Sequence, residues 1–320
     1  MGDLTTLLPT LFGLQGIKAT KERGYFLCKQ GNEAVKIHKT TEHPQTIWTR
    51  YKLLNLVEET GFPFADKLYL SAQNAPYVLL GRETYVMSRF VAGRELALDS
   101  LEDMTLAVKT LAHFHKVKLS NVELNAPPPL LTEVFASEIS LLTKTSKQIG
   151  KNVRLSDFDV MFIKNLPKYI NLAEKAAEQL DKTNYANRYN TAIQQGSVCH
   201  GNLKEENFTM HNGICHITNF ENATVDLQLT DLAFFLRRYA MRSQREIPLG
   251  KLLDVYDNVL PLPDSASEII YALLIYPWQF VKLTRQYYSK KRGFIPGGIM
   301  DRTQLLLNEQ EKYDAYMNTL

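Results

Sequence analysis

The sequence predicts an α+β protein in two lobes, a small β-rich lobe over residues 1–91 and a larger, mostly helical lobe over 92–320. Three observations carry this. Short apolar runs with strand-like alternation crowd the first ninety or so residues, interrupted by one amphipathic helix. From Leu101 onward the periodicity is mainly helical. Between the two, Val91-Ala92-Gly93-Arg94 reads as a linker.

The elements follow in order. Gly13 to Lys39 reads as three short strands, with Tyr25-Phe26-Leu27-Cys28 and Ala34-Val35-Lys36-Ile37-His38 flanking the turn residues Gly31-Asn32. Thr46 to Thr60 has helical spacing, with Ile47, Trp48, Tyr51, Leu54 and Val57 on one side and Gly61 as the stop. Further strands are expected around Leu68-Leu70, Tyr77-Leu80 and Tyr85-Phe90. The stretch from Leu101 through Leu-Ala-His-Phe-His is a helix, on which His113 and His115 read as packing or capping residues. Ala126-Pro127-Pro128-Pro129 is a stiff elbow, because proline forbids helix there. Helices are expected over Ser137–Lys147 and Phe158–Leu180, and a polar loop over Asp181–Gln195. Asp231-Leu232-Ala233 opens another helix, whose Arg237, Arg238, Arg242 and Arg245 read as a solvated basic face. Ile269–Tyr288 reads as one long helix carrying Tyr276-Pro277-Trp278, Lys290-Lys291-Arg292 follows it, and a last helix runs from Asp301.

The chemistry concentrates in His200-Gly201-Asn202-Leu203-Lys204-Glu205-Glu206-Asn207 and in Ile217-Thr218-Asn219-Phe220-Glu221. By spacing this is the centre of a kinase-like phosphotransferase: His-Gly-Asp, Asn five residues after the Asp, then a hydrophobic strand ending in Asp-x-Glu. In that pattern the first Asp accepts the substrate hydroxyl proton, and the later Asn and Asp hold the Mg²⁺ ions that bridge the phosphates. Here both aspartates are amides, Asn202 and Asn219. An amide is no useful proton acceptor and brings a hard cation no negative charge. Lys36 stands where such folds place the lysine that touches the phosphates, and Met87, Ser88 and Phe90 mark the edge for an adenine. No glycine-rich phosphate loop precedes Lys36, since Lys21-Glu22-Arg23-Gly24 holds one glycine. The helix glutamate that should face the lysine is missing as well. Arg50 falls near its place, and Glu42 and Glu58 are read as too far away.

These motifs resemble the aminoglycoside and choline kinase-like superfamily, and more closely the spore-coat proteins of the CotS type, the YsxE-like branch included. Ser156-Asp157-Phe158-Asp159, His200-Gly201, Asn219-Phe220-Glu221, Asp231-Leu232, Tyr276-Pro277-Trp278 and Tyr287-Tyr288 carry the likeness. The resemblance implies a protein-kinase-like two-lobed fold. It matches Lys36 to the phosphate lysine, Asn207 to the metal-binding asparagine and Asp231 to the aspartate that buttresses the catalytic loop. It also implies other spore-coat proteins as partners, with synthesis in the mother-cell cytoplasm and then deposition on the spore. The two amides point to a pseudokinase with no cofactor and no Mg²⁺. The alternatives are an active small-molecule or protein kinase that tolerates asparagine, and a nucleotide-sensing module. With three acidic groups gone and Arg50 gained, any nucleotide or phosphate is expected to bind weakly and without divalent metal.

Composition excludes several other classes. A net charge of +3 is too mild for a nucleic-acid binder. No apolar run is long enough to span a bilayer, and no signal peptide follows Met1, so membrane insertion is not expected. Three cysteines suit a reducing compartment. Cys199-His200, His211 and Cys215-His216 contain metal-type ligands, but adjacent residues on a strand point to opposite faces, and no Cys-x-x-Cys occurs.

Overall fold

The computed structural model describes residues 3–31, 33–119, 126–243, 248–288 and 298–317. Asn32, Arg245 and Lys290-Lys291-Arg292 lie outside these described residues. A helix absent from the sequence expectation comes first: α1 (Leu4–Leu11), started by the Asp3 carboxylate, which accepts the Thr5 amide at 3.0 Å. Strands β1 (Thr20–Lys21), β2 (Tyr25–Gln30) and β3 (Glu33–Thr40) follow. Helix α2 (Pro44–Glu59) begins with a proline at its first position behind a His43 cap, and Gly61 ends it at φ +82°. Strands β4 (Leu68–Tyr69), β5 (Val78–Leu80) and β6 (Glu83–Arg89) complete a six-stranded antiparallel sheet. Its order is β1-β2-β3-β6-β4, with β5 also on β6. The strand expectations hold.

Period-two alternation then assigns the faces of that sheet. Ile37 and Met87 join Leu8, Phe12, Cys28 and Tyr85 in an apolar cluster under α1. Their neighbours Lys36, His38 and Ser88 take the opposite side. Register pairs Lys36 with Ser88 across β3 and β6. The buried stripe of α2 is Ile47, Arg50, Leu53, Leu54 and Val57, so the expected stripe is turned. Trp48 and Tyr51 are half-buried, and an arginine takes a core position.

Next come β7 (Arg94–Glu95), α3 (Leu101–Phe114), α4 (Leu131–Ile149), α5 (Asp157–Asp181) and α6 (Tyr185–Gln194). The α6 segment was expected to be loop. Tyr185, Tyr189 and Ala192 recur at helical spacing on a buried side, which the many polar residues between them mask. Strands β8 (Val198–Cys199), β9 (Phe208–His211), β10 (Ile214–Ile217) and β11 (Thr224–Val225) carry the site loops, β7 pairing with β9 and β8 with β11. The remainder is α7 (Gln228–Arg242), α8 (Leu249–Asp257), α9 (Ala266–Ile275), α10 (Trp278–Tyr288) and α11 (Ile299–Met317). The long helix expected over Ile269–Tyr288 is two, because Tyr276 is extended (ψ 132°), as a residue before proline prefers. Among the described residues no helix is long and apolar enough to cross a membrane.

The chain forms two compact units. The first comprises Met1–Pro127, Ala192–Gln228 and Gly250–Pro261, and so contains the sheet, α2, α3 and the His200–Glu221 loops. The second comprises Pro128–Thr191, Leu229–Leu249 and Leu262–Leu320, and the chain first passes into it within the proline elbow. Aromatic residues build its core. Phe135 stacks on Tyr276 at 3.8 Å, and Phe280 lies between Phe162 at 4.8 Å and Tyr169 at 4.0 Å. Tyr276 donates to the buried Glu138 at 2.6 Å, and Arg285 pairs with the same carboxylate at 2.8 Å. The Ser156/Asp159 capping box that opens α5 is tied to the end of α10 by Tyr288, whose hydroxyl donates to Asp159 at 2.8 Å. The aromatic stretch Tyr276–Tyr288 is therefore largely interior. Arg237 is also no surface residue. It is 6% exposed, its guanidinium lies 5.2 Å from the Tyr313 ring, and its Nε donates to the Leu274 carbonyl at 3.3 Å.

Candidate functional site

The His200 loop leaves β8 through a glycine for a steric reason. Gly201 has φ +77°, and a Cβ there would lie 2.3 Å from the Asn222 carbonyl oxygen. His200 is fully buried and uses both ring nitrogens: Nε2 lies 2.9 Å from the Thr218 carbonyl, and Nδ1 accepts the Asn202 amide at 3.4 Å. Those bonds assign the Nε2–H tautomer and tie the loop to the end of β10, while the ring packs on Phe220 at 4.9 Å. His200 thus positions backbone of both loops. Asn202 follows it, half-buried. A 3-10 turn, Glu205–Asn207, brings Asn207 inside, 2% exposed, where its carbonyl accepts the Thr218 amide at 2.8 Å. The Asn207 side-chain Oδ1 is buried without a partner among the described residues.

After β10 the backbone turns left-handed at Asn219, φ 67° and ψ 58°, a conformation asparagine tolerates better than most side chains. Phe220 then packs on Phe114 at 5.4 Å, and α2 lies against this 3-10 turn of Phe220–Asn222.

Facing these loops are the polar residues of the sheet and α2. Arg50 reaches Glu42 at 2.5 Å, with side chains only 4% and 10% exposed, and Thr40 donates to the same carboxylate at 3.1 Å. Glu42 is therefore within the cluster, contrary to the expectation that it lay too far out. The chain reverses between β3 and α2, which brings Glu42, two residues ahead of the helix, onto its second turn. Burial pushes the Glu42 carboxyl up, Arg50 pulls it back, and Glu221 raises it again, so Glu221 belongs to the same electrostatic group.

Asp66 is the residue that sequence reasoning missed altogether. It is 8% exposed, on a loop strapped to β10 by the Ile217 amide, which donates to the Phe64 carbonyl at 2.8 Å. Burial raises its carboxyl pKa. Lys36 opposes that most, followed by the Lys67 amide, Arg50 and the Asn219 amide. Lys36 consequently has a carboxylate neighbour, where none was expected, and the site keeps three acids, Glu42, Asp66 and Glu221. No local sequence signal announces Asp66, because a parallel bridge, Ala65 to Ile217, places it. His38 was findable, since two residues on from Lys36 is the same strand face. Burial first, then Lys36 and Arg50, bring its pKa down to about 3, so it is neutral.

The remaining expected residues separate. Met87 points into the α1 cluster, while Ser88 is fully buried on the Lys36 side, its Oγ without a partner among the described residues. Phe90 is half-buried against Tyr25 at 5.9 Å. The Arg89 and Phe90 amides donate to the Lys67 and Ala34 carbonyls, both at 2.9 Å, so the sheet's own bonds extend through Phe90. At Gly93 a Cβ would sit 2.5 Å from the Met210 carbonyl oxygen, which keeps that turn close to β9. Asp231 is buried in the first turn of α7, within the second unit. Cys199 and Cys215 are buried thiols, and burial pushes Cys215 up to about 12.

Among solved structures, an aminoglycoside phosphotransferase from Alicyclobacillus acidocaldarius is similar, with TM-score 0.81 and 17% identity, over 100% of this chain and 95% of that one. A spectinomycin phosphotransferase bound to AMP has TM-score 0.60 and 10% identity, over 99% and 93%. These likenesses show the kinase-like phosphotransferase fold. Two Bacillus subtilis proteins are similar in sequence. "Endospore coat-associated protein YutH" is 24% identical over 51% of this chain and 47% of its own length, so the match spans about half of that relative. "Spore coat protein S" is 20% identical over 82% of this chain and 77% of its own length. The family described as "Spore coat putative kinase YutH" matches residues 5–320. With its kinase-like fold and a match over nearly its whole length, the chain belongs to that spore-coat YutH family.

Proposed function

We propose that this protein is a kinase-like member of the spore coat that does not transfer phosphate and acts through contacts with other coat proteins. One observation carries the reading: the two positions that need a carboxylate, base and metal ligand, hold Asn202 and Asn219. The donor set supports it. Asn207 and Asn219 are neutral amides, and the adjacent acid, Asp66, already lies in the field of Lys36 and Arg50. Such a set does not suit Mg²⁺, which favours carboxylate oxygens and several waters. Glu42, Asp66 and Glu221 also answer the positive charge of Lys36 and Arg50, which leaves little excess charge to hold an anion without metal. The cluster's cations are answered by its own acids, and we expect no nucleotide cofactor.

A second reading, an active kinase, is favoured by the carboxylate of Asp66 beside Asn219. Transfer of the γ-phosphate from ATP to a panel of small molecules and proteins, with Mg²⁺ or Mn²⁺, separates the two. The expected result is no transfer above background from the wild-type protein, since positioned base and metal together supply most of the rate in this chemistry. Wild-type turnover that is lost in both Asn207→Ala and Asp66→Asn establishes the second reading.

The coat assignment has its own test. A fluorescent fusion is expected to appear only in sporulating cells, in the mother cell, and to collect on the forespore surface. Fluorescence in growing cells, or a signal that stays diffuse late in sporulation, contradicts the assignment.

A further inference from the structure

The first unit has a concavity of about 510 Å³ between the turn after α2 and the end of α3. Phe62, Phe64 and Val117 line it, with His113, Lys116 and Lys118. We propose that this bowl docks an acidic segment of a partner protein, one that inserts an aromatic or long aliphatic side chain between flanking carboxylates.

The floor is preformed. Phe62 and Phe64 meet edge-on at 5.7 Å and 89°, Phe114 holds Phe62 from behind at 5.7 Å, and Phe64 rests on His216 at 5.8 Å. A rigid apolar pocket binds an inserted side chain without the cost of ordering its own walls. Such a buried anchor is where binding energy concentrates at protein interfaces.

The rim supplies the sign. Lys116 is exposed, and the Lys118 ammonium is held by Ser197 Oγ at 2.6 Å and Gln228 at 3.2 Å. His113 is exposed, and partial desolvation, with Lys116 and Lys109 nearby, holds its imidazole below the usual range. No described lining residue is acidic. Two lysines, Lys116 and Lys118, among residues that line an apolar floor match carboxylates that flank a hydrophobic residue. A nucleic-acid site needs a basic stripe that tracks many phosphates, and two lysines do not make one.

This inference rests on the interaction reading above, yet fails separately from it, because coat contacts could use another face. The probes are fluorescein-labelled peptides with Phe, Trp or Leu between pairs of Glu, titrated by anisotropy against the full chain. Saturable binding is expected. Replacing the central residue by Ala should weaken it at least tenfold, and so should Lys116→Glu combined with His113→Glu. Replacing the flanking Glu by Lys should abolish it. Lys147→Glu, in the second unit, should change nothing, and thermal melting confirms that each variant is folded. The proposal is overturned if no peptide binds, if the rim variants bind as wild type does, or if a single-stranded oligonucleotide competes as well as unlabelled peptide.

Discussion

Arg50→Met is expected to cost about 3–5 kcal/mol, the loss seen when one partner of a buried ion pair is removed. Arg50 lies in the apolar stripe of α2, between Ile47 and Leu53–Leu54, and is tolerated there because Glu42 answers its charge 2.5 Å away. Without the guanidinium, Glu42 is a buried carboxylate with Glu221 nearby, and it can escape only by taking up a proton. Urea unfolding of Arg50→Met, Glu42→Gln and the double variant measures the coupling. The double variant should recover most of the loss, since methionine fits the stripe and a neutral amide needs no cation. If Arg50→Met lies within about 1 kcal/mol of wild type, the pair is solvated after all.

The second large effect is on pH dependence. His38 has a pKa of about 3 in the folded protein, against an ordinary 6.5, because it is buried beside Lys36 and Arg50. A histidine whose pKa is lowered by folding binds its proton more readily when unfolded. Its contribution is complete above the unfolded pKa and is lost as pH falls through the window from 6.5 toward 3. At roughly 1.4 kcal/mol per pH unit, wild-type stability should fall by about 2 kcal/mol between pH 6.5 and 4.5 from this group alone. Glu42 and Asp66 act in the opposite sense, since their raised carboxyls favour the folded state as pH drops. His38→Gln isolates the effect: it should resemble wild type near pH 7.5 and be relatively more stable at pH 4.5. Parallel pH profiles for the two proteins would mean that His38 is solvated.

Much of this molecule could be read along the chain. The strands around Lys36, the helix stopped by Gly61, the capping box at Ser156 and the His200–Asn207 and Asn219–Glu221 loops depend on neighbours within a few residues. Their signals are therefore local, and the two amides are simply legible as letters. Other features were hidden for reasons that can be named. The α6 helix disguises three buried positions among polar ones, and Tyr276-Pro277 breaks a run in which apolar and aromatic residues continue on both sides of the break.

The sequence by itself determined the class of fold and showed asparagine, at Asn202 and Asn219, where the kinase-like spacing puts aspartate, because spacing within a strand or loop sets those. Only the tertiary structure decided the electrostatics. Glu42 meets Arg50 across eight residues, Asp66 meets Asn219 across a parallel bridge, and Arg237 is interior because Tyr313 and Leu274 close over it. A charge's partner is chosen by distance in space, and low dielectric inside the fold makes that choice decisive. Neither quantity is written in the order of the residues.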